Sequence, residues 1–478
     1  MFLYLVQSIR FGLFFYMRYT YLMNEGPTIF VIFGVTGDLS QRKLLPALFS
    51  LFSHNLLPKK FKIVGFSRRG WTDDDLRNFV RESLESKKVV GSPDQTESFL
   101  AHMEYANGIF DDAQAYVNLK QRLDRIDAEF GQCSNKLLYL AVAPAFYEII
   151  FEHLKTSGLN IPCGGELGWT RVLVEKPFGN DTKTAEKLES LLTQIFQEAQ
   201  IFRIDHYLAK ETVQNILTFR FSNSMFEPIW NAATIEKVHI QVFEKNRVED
   251  RGDFYDGVGA LRDVGQNHLL QMLALIAMDR PKSMHGDDVR KKRAEILKKV
   301  SFSKYSKRIL EQAVRAQYQG FLQEKGVAVG SQTETYFKLP AFIANKRWKN
   351  VPFVLESGKA LRESKAEISV YFKRLDCAEQ NVVRFRIQPN EGIEIVFWVK
   401  KPGFEKEHQQ KVLAFSFDET KLEHQVPDAY ERVLFDCVRG DPTLFASTDE
   451  VKYSWKFITP ILEKWKGLPL TSYLPGSI

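Results

Sequence analysis

At 478 residues, 44% hydrophobic and 26% charged, the chain is too long for one comfortable core and too apolar to be disordered, so two globular domains are expected. The 65 Lys and Arg against 59 Asp and Glu leave a net charge of only +6, mixed along the chain without a long basic run, which argues against nucleic acid as a main ligand. A small anionic molecule suits that balance better.

Met1–Leu22 is aromatic and apolar but is interrupted by Arg10 and Arg18. It falls short of the about 20 uninterrupted residues needed to span a bilayer and lacks the ordered parts of a signal peptide, so no membrane partner is expected. Met23 precedes a polar leader, and residues 1–22 are read as an extension ahead of the true start. Thr28–Phe33 is a β-branched and aromatic run of the kind that forms a buried parallel strand. Gly34-Val35-Thr36-Gly37-Asp38-Leu39 follows, then helical apolar spacing over Ser40–Phe52. Strand, glycine turn and helix place backbone N–H groups and a positive helix end against a phosphate. Lys62–Phe66 is the second strand and ends in Ser67-Arg68-Arg69, two cations where an NAD site usually carries an acid. Cations there suit an added 2′-phosphate.

Lys136–Ala141 and Arg171–Val174 are two further apolar strands, the second running into Glu175-Lys176-Pro177-Phe178-Gly179. Strand carboxyl ends are where an open α/β sheet binds ligands, which places Lys176 well. A fifth strand-like piece, Gln200–Ile204, delivers Arg203-Ile204-Asp205-His206-Tyr207-Leu208-Ala209-Lys210-Glu211 to the same edge. An imidazole, a phenol and an ammonium grouped together can all donate to phosphate oxygens, while the neighbouring carboxylate suits a base elsewhere. A solvated turn is the plainer reading of that block on residue types alone.

Past Phe219 the pattern changes to alternating segments, Ile235–Phe243, Ile368–Phe372, Val382–Ile387, Ile393–Val399 and Val412–Phe417. They predict a mostly antiparallel sheet, with helices at Leu261–Met278, Val289–Val300 and Pro427–Val438 able to cover one face. The expected architecture is a Rossmann dinucleotide-binding domain over 23–204, then an α+β substrate-binding and oligomerisation domain over 205–478. Asp263, Asn267 and His268 stand towards the start of the helix Leu261–Met278. Cys133, Cys163, Cys377 and Cys437 have no metal-type spacing and read as reduced thiols of a cytoplasmic protein.

Taken together, the glycine turn, Gly65-Phe66-Ser67-Arg68, Glu175–Gly179, Arg203–Glu211 and Arg262–Met272 resemble glucose-6-phosphate dehydrogenase. Arg347–Phe353, Ser357–Leu361, Gln388–Glu391 and Asp428–Arg432 match as well, so the resemblance runs from Pro27 to the C-terminus. It implies oxidation of glucose 6-phosphate at C1 to a lactone with hydride passed to NADP, the opening step of the oxidative pentose phosphate route. It further implies His268 as general base, Asp205 behind it, and His206, Tyr207 and Lys210 on the sugar phosphate. Lys176 is implied between cofactor and substrate, Glu244, Asp263 and Lys359 on sugar hydroxyls, and Gly34, Thr36, Gly37, Asp38, Leu39, Arg68 and Tyr147 on the cofactor. No metal is implied, and relatives form homodimers or homotetramers through the large sheet.

Two departures stand out. Five residues beyond Lys359, where the family commonly has a second cation, stands Ser364, with Lys365 next to it. The sequence ends at Ile478, where many relatives carry a further segment that helps build a second, structural NADP site, so that site is not expected. Two other readings compete. A sugar dehydrogenase of the glucose–fructose oxidoreductase type shares the Glu-Lys-Pro turn, but the Arg203–Glu211 block argues against it. A non-catalytic NADP-binding sensor or scaffold is disfavoured by the presence of both His268 and Asp205.

Overall fold

The computed structural model describes residues 26–87, 91–164, 168–301, 313–375, 379–417 and 426–477; Met1–Leu22 and Cys377 lie outside the described residues. The chain forms two compact units. Unit one takes the described residues up to Phe178, then Lys187–Ile204 and Asp428–Phe445; unit two takes Gly179–Glu186, Asp205–Pro427 and the described residues from Ala446 onward.

Unit one is built on seven strands: β1 (Thr28–Phe33), β2 (Phe61–Ser67), β3 (Met103–Asn107), β4 (Asn135–Leu140), β5 (Thr170–Val174), β6 (Ile201–Ile204) and, late in the sequence, Phe445–Ala446. The sheet runs from that short strand through β6, β5, β4, β1 and β2 to β3. The pairs β1–β2, β1–β4, β2–β3, β4–β5 and β5–β6 are all parallel. Every residue of β1 and β4 is buried, as expected of strands covered on both faces. This is the expected Rossmann order, with the switch point between the carboxyl ends of β1 and β4.

The compact units depart from the expected domain limits at two places. Asp428–Phe445, assigned by sequence to the second domain, belongs to unit one. Its helix Ala429–Arg439 packs on the helix Leu45–Ser53. Arg171 of β5 donates to that helix's last carbonyls, Cys437 and Val438, at 2.6 and 2.7 Å, and Phe445 meets Phe202 edge-on at 4.7 Å. Conversely, Gly179–Glu186 joins unit two, where the Thr182 N–H and hydroxyl each lie 2.9 Å from the Thr459 hydroxyl. A buried stripe can be read from an amphipathic pattern, but the core that receives it cannot.

The cysteine expectation is also corrected, because Cys133 and Cys163 form a disulfide with Cα atoms 5.6 Å apart. Cys133 follows the helix Ala113–Phe130 just ahead of β4, and Cys163 lies just ahead of the neighbouring β5. Thirty residues of sequence separation conceal a proximity that the sheet imposes. Cys437 is a free, buried thiol.

Unit two centres on β7 (Ile235–Phe243), β8 (Val300–Ser301), β9 (Val314–Tyr318), β10 (Tyr336–Ile343), β11 (Phe353–Gly358), β12 (Lys365–Phe372), β13 (Val382–Gln388), β14 (Gly392–Lys400), β15 (His408–Ser416) and, past the Phe445–Ala446 strand numbered β16, β17 (Thr471–Tyr473). The order is β15-β14-β13-β12-β7-β11-β10-β9-β17, with β8 beside β10. Neighbours are antiparallel except β7–β11 and β9–β17. Alternating burial along β7 and β10 marks one core-facing side. The helices Leu261–Leu269, a π-helix, and Leu270–Ala277 belong to this core, as do Gly286–Leu297 and Thr448–Trp465. Glu450 joins two of these helices: it closes a capping box with Ser447 and accepts the Arg293 Nε–H at 2.7 Å, both side chains buried. No helix among the described residues is long and apolar enough to cross a membrane.

Candidate active site

The glycine turn of unit one is set by close backbone approach. Gly34 has φ +80°, and a Cβ there would lie 2.5 Å from the Ala141 carbonyl oxygen, so only glycine passes between β1 and β4 in this form. The Gly37 N–H closes the turn on the Gly34 carbonyl at 2.9 Å, and the Gln41 N–H returns to Gly37 at 3.0 Å. Gly34, Thr36, Gly37 and Arg68 line one cavity of about 570 Å³, with Gly108–Asp111, Ala141–Ala143 and Phe146 completing its wall. The cavity sits at the switch point and opens on a helix start, so these residues fit a dinucleotide. Asp38 and Leu39 follow at the helix start, where exposed Asp38 pairs with Arg42 at 2.6 Å.

Lys176 stands on the turn after β5, outside the wall of that cavity. Its neighbour Glu175 is buried and accepts the Tyr139 hydroxyl at 2.6 Å and a second hydrogen bond from Tyr430. Burial pushes the Glu175 carboxyl up to about 7, against the opposing pull of Tyr139, Lys176 and Tyr430. Tyr147, expected beside the cofactor, is buried and donates to the Glu175 carbonyl at 2.9 Å. It braces the turn that carries Lys176, while its neighbour Phe146 lines the cleft.

The Arg203–Glu211 block divides between the units. Arg203 lies within β6, wholly buried, with Glu189 and Glu198 at 2.6 and 3.0 Å. Asp205 opens the unit-two part, in which Leu208 and Ala209 are buried and the helix Glu211–Phe221 starts after Lys210. The Asp205 Oδ1 accepts the Tyr207 N–H at 3.0 Å and lies 2.6 Å from Nδ1 of buried His268. Burial works to raise the Asp205 carboxyl, but the charge and hydrogen bond of His268, then His206, hold it below the ordinary carboxylate range. An ionised carboxylate only accepts, so Nδ1 carries the hydrogen and Nε2 is the basic nitrogen.

His268 sits on the π-helix Leu261–Leu269, a widened form frequent at functional sites. The His206 and Tyr207 rings lie 4.6 and 4.4 Å from its imidazole, and the Lys210 ammonium is 5.3 Å from the Tyr207 ring. Burial and the charges of Glu244, Asp205 and Asp263 push the Tyr207 hydroxyl far up, which keeps it a donor. Lys359 pairs with Glu244 at 2.6 Å.

Tyr207 and Glu244 line a cavity of about 770 Å³ together with Asn246, Ser364, Lys365 and Asn390. Ser364 accepts the Lys245 N–H at 2.9 Å, and Lys365 has an exposed partner, Glu363, at 3.2 Å. Unit two thus holds the residues expected as base pair, phosphate donors and sugar-hydroxyl ligands; Lys176 and the cofactor candidates are in unit one. Among the described residues, no group of three or more His, Cys, Asp and Glu could hold a metal ion.

Sequence reasoning missed the groups that brace this machinery. Glu334, buried ahead of β10, accepts the Leu261 N–H at 3.0 Å and so anchors the start of the His268 helix. Tyr139 was passed over inside a strand pattern, whereas Tyr430 lay in a block already noticed, Asp428–Arg432.

Two family models together cover nearly the whole chain and meet at residues 215–217, not at the 204–205 boundary of the compact units. The glucose-6-phosphate dehydrogenase NAD binding domain matches residues 31–215, and the glucose-6-phosphate dehydrogenase C-terminal domain matches 217–478. Glucose-6-phosphate 1-dehydrogenase of Borreliella burgdorferi is 40% identical over 466 residues, covering 94% of each chain. A glucose-6-phosphate dehydrogenase solved in complex with its substrate glucose-6-phosphate superposes with a TM-score of 0.87 at 34% identity, over 94% of both chains. The enzyme of Mycobacterium avium gives 0.81 at 32% identity, over 94% of this chain and 95% of its own. A glycine turn on a Rossmann sheet, a buried histidine–aspartate pair and sequence likeness along nearly the whole length converge: the chain belongs to the glucose-6-phosphate dehydrogenase family.

Proposed function

We infer that the protein oxidises D-glucose 6-phosphate at C1 to 6-phospho-D-glucono-1,5-lactone, with NADP as the hydride acceptor. The observation that carries this reading is the Asp205–His268 pair in the same unit as Tyr207, Lys210 and Lys359. Oxidising C1 removes a hydride from carbon and a proton from its hydroxyl. His268 Nε2 takes the proton, and Asp205 holds the ring in the right tautomer and stabilises the imidazolium that forms. His206, Tyr207 and Lys210 donate to the sugar phosphate, which orients C1 from a distance. Glu244, Asp263 and Lys359 bind sugar hydroxyls, and Lys365 offers a cation to the cavity that Ser364 lines.

The bound nicotinamide supplies the hydride acceptor. Gly34, Thr36, Gly37, Asp38 and Leu39 hold the pyrophosphate end: Gly34 and Gly37, whose N–H groups are bonded to backbone carbonyls, allow close backbone approach, and Thr36, Asp38 and Leu39 offer N–H groups at the helix start. Arg68 meets the 2′-phosphate, which is the basis for NADP over NAD. Lys176, on a turn braced by Tyr147 and Tyr139, is assigned to cofactor and sugar. The same reading makes the protein a cytoplasmic homodimer or homotetramer.

Steady-state kinetics with glucose 6-phosphate and free glucose, each against NADP and NAD, tests the whole reading. Glucose 6-phosphate should exceed glucose in kcat/KM by about a hundredfold or more, since several charge-assisted hydrogen bonds depend on the phosphate. NADP should be the better acceptor. Equal turnover of free glucose would overturn the substrate assignment, and NADPH binding without any NADP reduction would make the protein a sensor.

A further inference from the structure

Lys359 leaves β11 on a turn that needs outside support, because the next residue, Ala360, holds φ +53°, a region that side-chain-bearing residues seldom adopt. The support is a set of hydrogen bonds. The Lys359 N–H donates to the Thr335 carbonyl at 2.9 Å, and the Gly476 N–H donates to the Ala360 carbonyl at 2.8 Å. The Ala360 and Leu361 N–H groups donate to Asn246 and Glu244 carbonyls at 2.9 and 3.0 Å, which joins this turn to the loop bearing Glu244. The Lys359 carbonyl accepts the Tyr473 hydroxyl at 2.6 Å.

Tyr473 ends β17 and pairs with Tyr318 on β9, its own ring buried beside Tyr318 and Tyr336 at 6.3 and 5.8 Å. Its hydroxyl lies 2.9 Å from Thr335 Oγ1, which accepts the Tyr318 N–H at 2.9 Å. The donors therefore run in one direction: Tyr318 N–H to Thr335 Oγ1, Thr335 hydroxyl to Tyr473 Oη, Tyr473 hydroxyl to the Lys359 carbonyl. The Tyr473 hydroxyl also lies 3.3 Å from the Thr335 carbonyl, but the 2.6 Å contact to Lys359 is the shorter, and the buried chain fixes the backbone at its end.

We propose that Tyr473, through Thr335, is a positioning residue of the sugar site: it sets the Lys359 turn and thereby the Lys359–Glu244 pair. β17, more than 100 residues along the chain from Lys359 (114 to Tyr473), is on this account part of the substrate machinery. The inference rests on the assignment of Lys359 and Glu244 to sugar hydroxyls.

The test is Tyr473→Phe in the full chain, which keeps the ring and removes the hydroxyl. The KM for glucose 6-phosphate should rise about fivefold or more, the cost of a buried carbonyl losing its donor, while kcat and the KM for the dinucleotide change less than about twofold. Thr335→Val should reproduce the rise, and Thr335→Ser, which keeps the hydroxyl, should restore wild-type KM. Lys359→Ala should raise KM at least as far, and the double variant Tyr473→Phe/Lys359→Ala should be no worse than Lys359→Ala alone.

An unchanged KM in Tyr473→Phe alongside a raised KM in Lys359→Ala overturns the positioning role and leaves the Lys359 assignment standing. So does an additive double variant. If Lys359→Ala itself leaves KM unchanged, the sugar assignment of Lys359 is what fails. Should Tyr473→Phe lose its thermal transition, Thr335→Val against Thr335→Ser decides alone.

Discussion

His268 meets Asp205 across 63 residues of chain, and the 2.6 Å contact fixes which imidazole nitrogen is basic. Replacing His268 by Ala removes the proposed proton acceptor but none of the proposed phosphate donors. We expect kcat to fall by roughly two to four orders of magnitude, with glucose 6-phosphate binding nearly unchanged by isothermal titration. A loss below about tenfold would mean that another group is the base. The residue types of this site were legible because His206, Tyr207 and Lys210 stand together in one short block. Side chains that act through another residue were not. Tyr147, whose hydroxyl points into the protein, and Tyr473, at the end of a three-residue strand, carry no periodic signal that separates bracing from packing.

At the level of elements, the β1 turn shows how a backbone conformation becomes a binding site. Gly34→Ala would place a methyl 2.5 Å from the Ala141 oxygen at a φ of +80°. That combines left-handed strain of about 1–2 kcal/mol with a backbone clash. NADPH affinity measured by fluorescence titration should drop at least about tenfold, while glucose 6-phosphate binding, which we assign to unit two, stays close to wild type. Unaltered NADPH affinity would remove the turn from the cofactor site.

Elements with a strong period were legible. Ile235–Phe243 forms the strand its alternation predicts, and Ile393–Val399 grows by one residue at each end to Gly392–Lys400. β3, β9, β10 and β11 were missed: β3, β9 and β11 hold polar residues among their apolar ones, and β10 is broken in pattern by Pro340. The Leu261–Met278 stripe announced a helix, but not that its first half is a π-helix. The Cys133–Cys163 pairing depends on sheet order, which local sequence does not encode.

For the molecule as a whole, Glu175 links stability to pH through its burial, which outweighs the opposing hydrogen bonds from Tyr139 and Tyr430. Its folded pKa of about 7 lies above the ordinary 4.5, so the folded state holds the proton longer than the unfolded chain does. The stabilisation is complete below about 4.5 and is lost as pH rises through about 7, a change of about 3 kcal/mol. Glu175→Gln, neutral throughout, should narrow the difference in thermal midpoint between pH 5 and pH 8. An undiminished difference would show that Glu175 is not the group responsible.

Tyr430 belongs to Asp428–Phe445, the stretch by which the late chain returns to unit one. That return has a consequence for biosynthesis. A ribosome making the chain from its N-terminus finishes β6 at Ile204 but cannot supply the last strand of the nucleotide sheet until Ala446 has been added. At ordinary elongation speeds of about 5–20 residues per second, the gap lasts on the order of 12–50 seconds. Throughout it, the Phe202–Phe445 contact and the packing of the helix Leu45–Ser53 on Ala429–Arg439 cannot form, so unit one carries apolar surface that only the late stretch covers.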